Sequence, residues 1–114
     1  MIEPRLTSEF QISAIRRLAE ADGGFATILR KGDATSGTIL LIGQVKGGNP
    51  VLFERFRPLD GEVIWQPIAY QATENETEIA VYWQKRVAQD PDLWVLELDV
   101  ASTERLSRFL GTLA

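Results

Sequence analysis

Neither cysteine nor histidine occurs anywhere in the 114 residues. Without cysteine the chain has no disulfide, no thiolate nucleophile, no iron–sulfur cluster and no cysteine-based zinc site. Without histidine it lacks the commonest general base, the usual transition-metal ligand and every Ser–His or Cys–His nucleophile pair. A Ser–Lys arrangement is the remaining serine chemistry, and Lys31, Lys46 and Lys85 do not fall at a helical spacing from a serine. A basic surplus is missing too: 12 basic residues stand against 16 acidic ones, for a net charge of −4. Duplex nucleic-acid binders carry positive charge to displace counterions from phosphate, so no duplex nucleic acid is expected as a partner. The longest apolar run, Thr38 to Ile42, is far too short to cross a bilayer, and Met1-Ile2-Glu3-Pro4-Arg5 lacks the apolar core of a signal peptide. Asn75-Glu76-Thr77 matches a glycosylation pattern that has no meaning without secretion. The expectation is a soluble cytoplasmic protein with no membrane contact and no cofactor.

What is present is ordinary globular composition, with 45% hydrophobic and 25% charged residues. Length alone predicts one domain over residues 1–114, with a radius of gyration of roughly 13 Å.

The pattern of apolar residues predicts eight elements. A first helix runs from about Ser8 to Asp22, with Ser8 and Gln11 as a capping box. Its apolar stripe is Leu6, Phe10, Ala14, Ile15, Leu18 and Ala19, and Asp22-Gly23-Gly24 is its stop. Strands follow at Phe25–Arg30, Gly37–Val45, Val51–Phe56 and Glu62–Tyr70, the last weakened by Pro67. A second helix spans about Glu74 to Gln89 behind a Thr73-Glu74-Asn75-Glu76 cap, with Ile79, Tyr82, Trp83 and Val87 on its apolar face. Leu93–Leu98 is a fifth strand, and Ser102–Leu113 a last amphipathic helix. Strands two and five are apolar on both faces and therefore need cover on both. The expected fold is α/β in the α+β sense: one mostly antiparallel five-stranded sheet with helices on both faces, elements in the order α-β-β-β-β-α-β-α. Short polar connections predict a meander, with strands in the order 5-1-2-3-4.

Two local patterns carry a resemblance. One is Arg30-Lys31-Gly32-Asp33 with Gly37 and a following apolar strand; the other is Asp90-Pro91-Asp92-Leu93-Trp94-Val95 followed by Glu97. With Arg5-Leu6 and the paired Arg16-Arg17 before a glycine, they resemble the alphaproteobacterial family called domain of unknown function 1491, over about residues 5 to 99. The resemblance implies a small bacterial cytosolic protein and transfers no catalytic residue.

Two surfaces are candidates for function. If strands one and five are antiparallel neighbours, Arg30, Lys31 and Asp33 approach Asp90 and Asp92. Opposed charges there suit an anionic or zwitterionic ligand, or a hard cation between carboxylates. The simpler alternative is that Asp33 and Asp92 accept hydrogen bonds from turn amides while Arg30 is a surface ion-pair partner. The ligand candidates are thus Arg30, Asp33 and Asp92. The second surface is Trp65 with Arg55 and Arg57, a partly exposed aromatic edge suited to pairing with a twin or another protein. Trp83 and Trp94 are expected in the core. Asp92 with Glu97 and Asp99 is the faint outline of a magnesium nuclease, but Asp99 stands where that pattern wants a lysine. Gly47-Gly48-Asn49-Pro50 lacks the lysine and hydroxyl of a phosphate loop and reads as a hairpin turn. No catalytic and no metal residue is assigned. The leading reading is a non-catalytic interaction or regulatory module; a small-ligand or metal binder, or slow enzyme, is the alternative.

Overall fold

The computed structural model describes residues 7–56, 58–59, 61, 64–68 and 76–113. The first helix, α1, spans Ser8–Ala21. Its cap is Thr7, whose hydroxyl accepts from the Phe10 N–H at 3.2 Å. Ser8 turns inward instead, and its buried hydroxyl donates to the Gly37 carbonyl at 2.7 Å. The buried stripe is Ser8, Ile12, Ile15 and Ala19, while Phe10 and Leu18 are 56% and 42% exposed. Both stripes fit a helical period; the sheet took the one that presents Ile12. The helix ends as its sequence predicts. Gly24 N–H donates to the Ala19 carbonyl and Gly23 N–H to the Glu20 carbonyl, with Gly23 at φ 80, a left-handed conformation that glycine adopts without a Cβ penalty.

Five strands and two helices follow: β1 (Phe25–Arg30), β2 (Ile39–Val45), β3 (Gly48–Phe56), β4 (Ile64–Pro67), α2 (Glu76–Gln89), β5 (Trp94–Val100) and α3 (Thr103–Leu113). The β2–β3 hairpin turns at Lys46 and Gly47, both at positive φ, so β3 starts earlier than Val51. The Thr73–Asn75 part of the expected helix cap lies outside the described residues.

The element order is the expected one, but the strand order is not. The sheet runs β1-β5-β2-β3-β4. β5 is antiparallel to β1 and parallel to β2, and it is an internal strand rather than an edge. The reason is burial. Trp94, Val95, Leu96 and Leu98 leave almost no surface to water, and only an inner strand with cover on both faces achieves that. The other pairs, β2–β3 and β3–β4, are antiparallel, so the sheet is mixed and mostly antiparallel. β3 is internal, with Leu52 and Phe53 buried on opposite faces.

Two apolar layers sandwich the sheet. α1 and α3 share one face, where Ile12, Ile15, Leu106 and Phe109 meet Ile39, Leu41, Phe53, Trp94, Leu96 and Leu98. α2 covers the other, with Ile79 against Leu40, Ile42, Leu52 and Val95 and with Tyr82, Trp83 and Val87 partly buried at the margin. An ion pair ties that layer together: Arg86 reaches Glu54 of β3 at 2.8 Å and also donates to the Tyr82 hydroxyl at 3.1 Å. The nearby carboxylate and phenol hold the Arg86 pKa above its ordinary value despite some desolvation. No helix among the described residues is long and apolar enough to cross a membrane.

Candidate functional site

The connection between β1 and β2 is not a hairpin. It arches over the turn that starts β5, and the backbone of each clasps the other. Asp33 N–H donates to the Asp92 carbonyl at 3.0 Å, and Trp94 N–H donates to the Thr38 carbonyl at 2.8 Å. The Trp94 indole N–H donates to the Asp33 carbonyl at 2.7 Å. Glycine is required where arch meets turn: a Cβ at Gly32 or Gly37 would collide with the Asp92 carbonyl oxygen, and at Gly37 it would also meet the Trp94 indole. The sequence pattern Arg30-Lys31-Gly32-Asp33…Gly37 and the pattern Asp90-Pro91-Asp92-Leu93-Trp94 are therefore the two halves of one clasp.

Arg30, Asp33 and Asp92 are brought together, each in a defined role. The Asp33 carboxylate accepts from Ser36 N–H at 2.9 Å, Thr35 N–H at 3.1 Å and the Ser36 hydroxyl at 3.4 Å. Those bonds, Ser36 N–H foremost, hold its pKa below the ordinary carboxylate value. Arg30 donates to the Pro91 carbonyl at 3.2 Å, while its Nε is buried without a hydrogen-bond partner. Asp92 contributes its backbone, and its own N–H is received by the Asp90 carboxylate at 3.2 Å. Among the described residues no group of three acidic side chains is close enough to hold a metal ion. Asp99, from the faint nuclease pattern, accepts from Gly47 N–H at 3.1 Å and braces the β2–β3 turn.

The opposite end of the sheet holds the second surface. Arg55 on β3 and Trp65 on β4 are direct cross-strand partners, and the Arg55 guanidinium lies 4.8 Å from the Trp65 ring centroid. Trp65 is only 7% exposed and belongs to the α1/α3 core layer, which corrects the expectation of an exposed aromatic edge. A tryptophan opposite an internal strand and beneath a helix is covered even near a sheet edge, and only the tertiary arrangement supplies that helix. Its indole N–H has no hydrogen-bond partner. The Arg55 side chain is exposed as a whole, yet desolvation at its guanidinium draws its pKa below the ordinary arginine value. Ile64, next to Trp65 in β4 and so on the other face of the sheet, is exposed. Arg57 lies outside the described residues.

Sequence reasoning missed two polar features. The Arg86–Glu54 pair joins elements 32 residues apart. Arg105 closes the far end of α1, donating to the Asp22 carbonyl at 2.9 Å beside a shallow cavity of about 150 Å³ lined by Leu18, Arg108 and Phe109. Neither pairing has a local sequence signal, since the partners meet only after the helices dock.

Two outcomes test the clasp. Gly37→Ala is expected to cost about 1–3 kcal/mol or more in chemical denaturation, because the added methyl must displace backbone. Asp33→Ala is expected to lower Tm at neutral pH. A depressed folded pKa contributes stability above the ordinary carboxylate value and loses it as pH falls through the folded one. The Tm gap to the parent should therefore close at acid pH; a gap that stays constant would mean that the charge of Asp33 contributes nothing.

The comparisons agree with one another. The chain is similar to a DUF1491 family protein from Caulobacter crescentus CB15 known from a crystal structure, at 32% identity and TM-score 0.74, over 83% of this chain and 88% of that one. A solution structure of a DUF1491 family protein from the same organism gives 32% identity and TM-score 0.70, over 88% and 90% of the two chains. A protein from A. tumefaciens, also solved in solution, gives 25% identity and TM-score 0.68, over 87% and 89%. No curated protein matches the chain. The family described as protein of unknown function (DUF1491) matches residues 6–108, and the chain belongs to that family.

Proposed function

We propose that this chain is a cytoplasmic, non-catalytic interaction or regulatory module whose contact surface includes Arg55, Trp65 and Arg57. One observation carries the reading: an exposed arginine, Arg55, is stacked on a tryptophan whose buried indole N–H has no hydrogen-bond partner. A buried polar group left unpaired costs about 1–3 kcal/mol, and an indole N–H nearly always finds a partner when buried. Here the Trp65 N–H has none, and the Arg55 guanidinium is desolvated against the ring with no acid in contact among the described residues. A carboxylate or main-chain carbonyl from a protein partner would pair with the Arg55 guanidinium, whose side chain is exposed beside the buried ring. A second copy of the chain is one such partner. The absence of imidazole and thiol supports a binding role over a nucleophilic one.

The test begins with tagged capture from the host and continues with calorimetric titration of the captured protein. Arg55→Ala should weaken binding about tenfold, as hot-spot residues do, and Trp65→Phe, which leaves a smaller ring under the guanidinium, should weaken it less. Tm should barely change for Arg55→Ala. Trp65→Ala is the wrong probe, since it opens a core cavity costing about 3–5 kcal/mol. Unchanged affinity in both informative variants would remove this surface from the reading.

A second reading, a small anionic ligand at Arg30, Asp33 and Asp92, is supported by the convergence of these residues at the clasp. It predicts that an anionic metabolite or magnesium raises Tm, because ligands selective for the native state stabilise it. A flat response across a broad metabolite and metal panel would exclude it.

A further inference from the structure

An open sheet has two edges, and here they differ. β4 is four residues long and ends in Pro67, which has no N–H to offer a new strand. β1 has six residues, Phe25-Ala26-Thr27-Ile28-Leu29-Arg30, with no proline and no charge before Arg30. Among the described residues it pairs only with β5, so its outer row of N–H and C=O groups faces no strand. Its side chains are unusually apolar for an edge: Phe25 is 70% exposed, Leu29 40% and Ile28 36%. Natural edge strands are blunted by lysine, proline, bulges or a covering element. β1 carries one such device, the bulge between Ile28 and Arg30.

We propose that the outer edge of β1 pairs antiparallel with the same edge of a second copy of this chain, about a two-fold axis at Thr27. The strand is self-complementary in that register. Residues that face each other across an antiparallel pair point to the same side of the sheet. A two-fold at Thr27 sets Phe25 opposite Leu29, Ala26 opposite Ile28 and Thr27 opposite its own copy. Apolar and Thr–Thr cross-strand pairs are favourable, and no charge faces a like charge. Each Arg30 falls beyond the ladder, opposite Gly24 of the other copy. The interface is isologous and closes on itself, so it stops at a dimer. One strand pair buries less than a standard interface, so the dimer is weak and concentration-dependent. This contact uses the edge remote from Arg55 and Trp65 and does not rest on that surface.

Sedimentation velocity of the parent chain from low micromolar to millimolar concentration tests it, together with Thr27→Lys and Thr27→Glu. The Thr27 side chain is exposed and faces Glu97 of β5, so circular dichroism should show parent-like folds for both, with Tm lowered in Thr27→Glu alone. The parent mass should rise from one chain to two. Each variant alone should remain monomeric to about tenfold higher concentration, because like charges then meet on the axis. An equimolar mixture of the two should dimerise again, since unlike charges face each other. Amide exchange in Phe25–Leu29 of the parent should slow as concentration rises, a readout that needs no substitution. A parent chain that stays monomeric throughout overturns the proposal. So do variants that dimerise as readily as the parent, in which case loss of the dimer in Arg55→Ala would assign it to the other end of the sheet. A mixture that fails to dimerise overturns the two-fold at Thr27.

Discussion

Trp94 is where the fold is fastened. Its backbone N–H holds Thr38, its indole N–H holds the Asp33 carbonyl, and its ring is buried between the sheet and the α1/α3 layer. Through those bonds the start of β5 is locked beneath the β1–β2 arch, and Asp33 N–H on the Asp92 carbonyl closes the clasp from the other side. The constraint is steric as much as polar. Gly32 and Gly37 let two backbones approach where any side chain would force them apart. With the clasp in place, β5 lies between β1 and β2, and the parallel β2–β5 pair becomes the doubly covered centre of the sheet. Ser8 adds α1 to the same point by bonding the Gly37 carbonyl, so helix, arch and central strand are joined within a few residues.

Anchoring the sheet at its centre separates its two edges and gives them different chemistry. At one, β4 is short, ends in proline and carries Trp65, whose indole N–H has no hydrogen-bond partner and whose ring stacks with Arg55. At the other, β1 offers an uncharged ladder and three exposed apolar side chains.

The clasp also explains the two sequence patterns that carry the family resemblance. Their glycines and aspartates are spent on backbone geometry: Asp33 and Asp90 each receive amides of their own turns. Arg30 is the member of the group whose buried Nε is left without a partner.

Much of the architecture was legible in the chain because local rules fix it. The β1 bounds, the glycine stop of α1 and the element order follow from period, turn chemistry and caps, which act within a few residues. The two-sided burial of β5 was legible as well, in Leu93-Trp94-Val95-Leu96, although its neighbours were not. Tertiary structure decided what depends on distant partners. It chose Ile12 over Phe10 for the inner face of α1, because two stripes satisfy one helical period and only the sheet selects between them. It inserted β5 between β1 and β2, because an arch and a hairpin loop have similar local sequences and differ in what passes beneath. It buried Trp65, because exposure at a sheet edge depends on whether a helix lies over it, and α3 does.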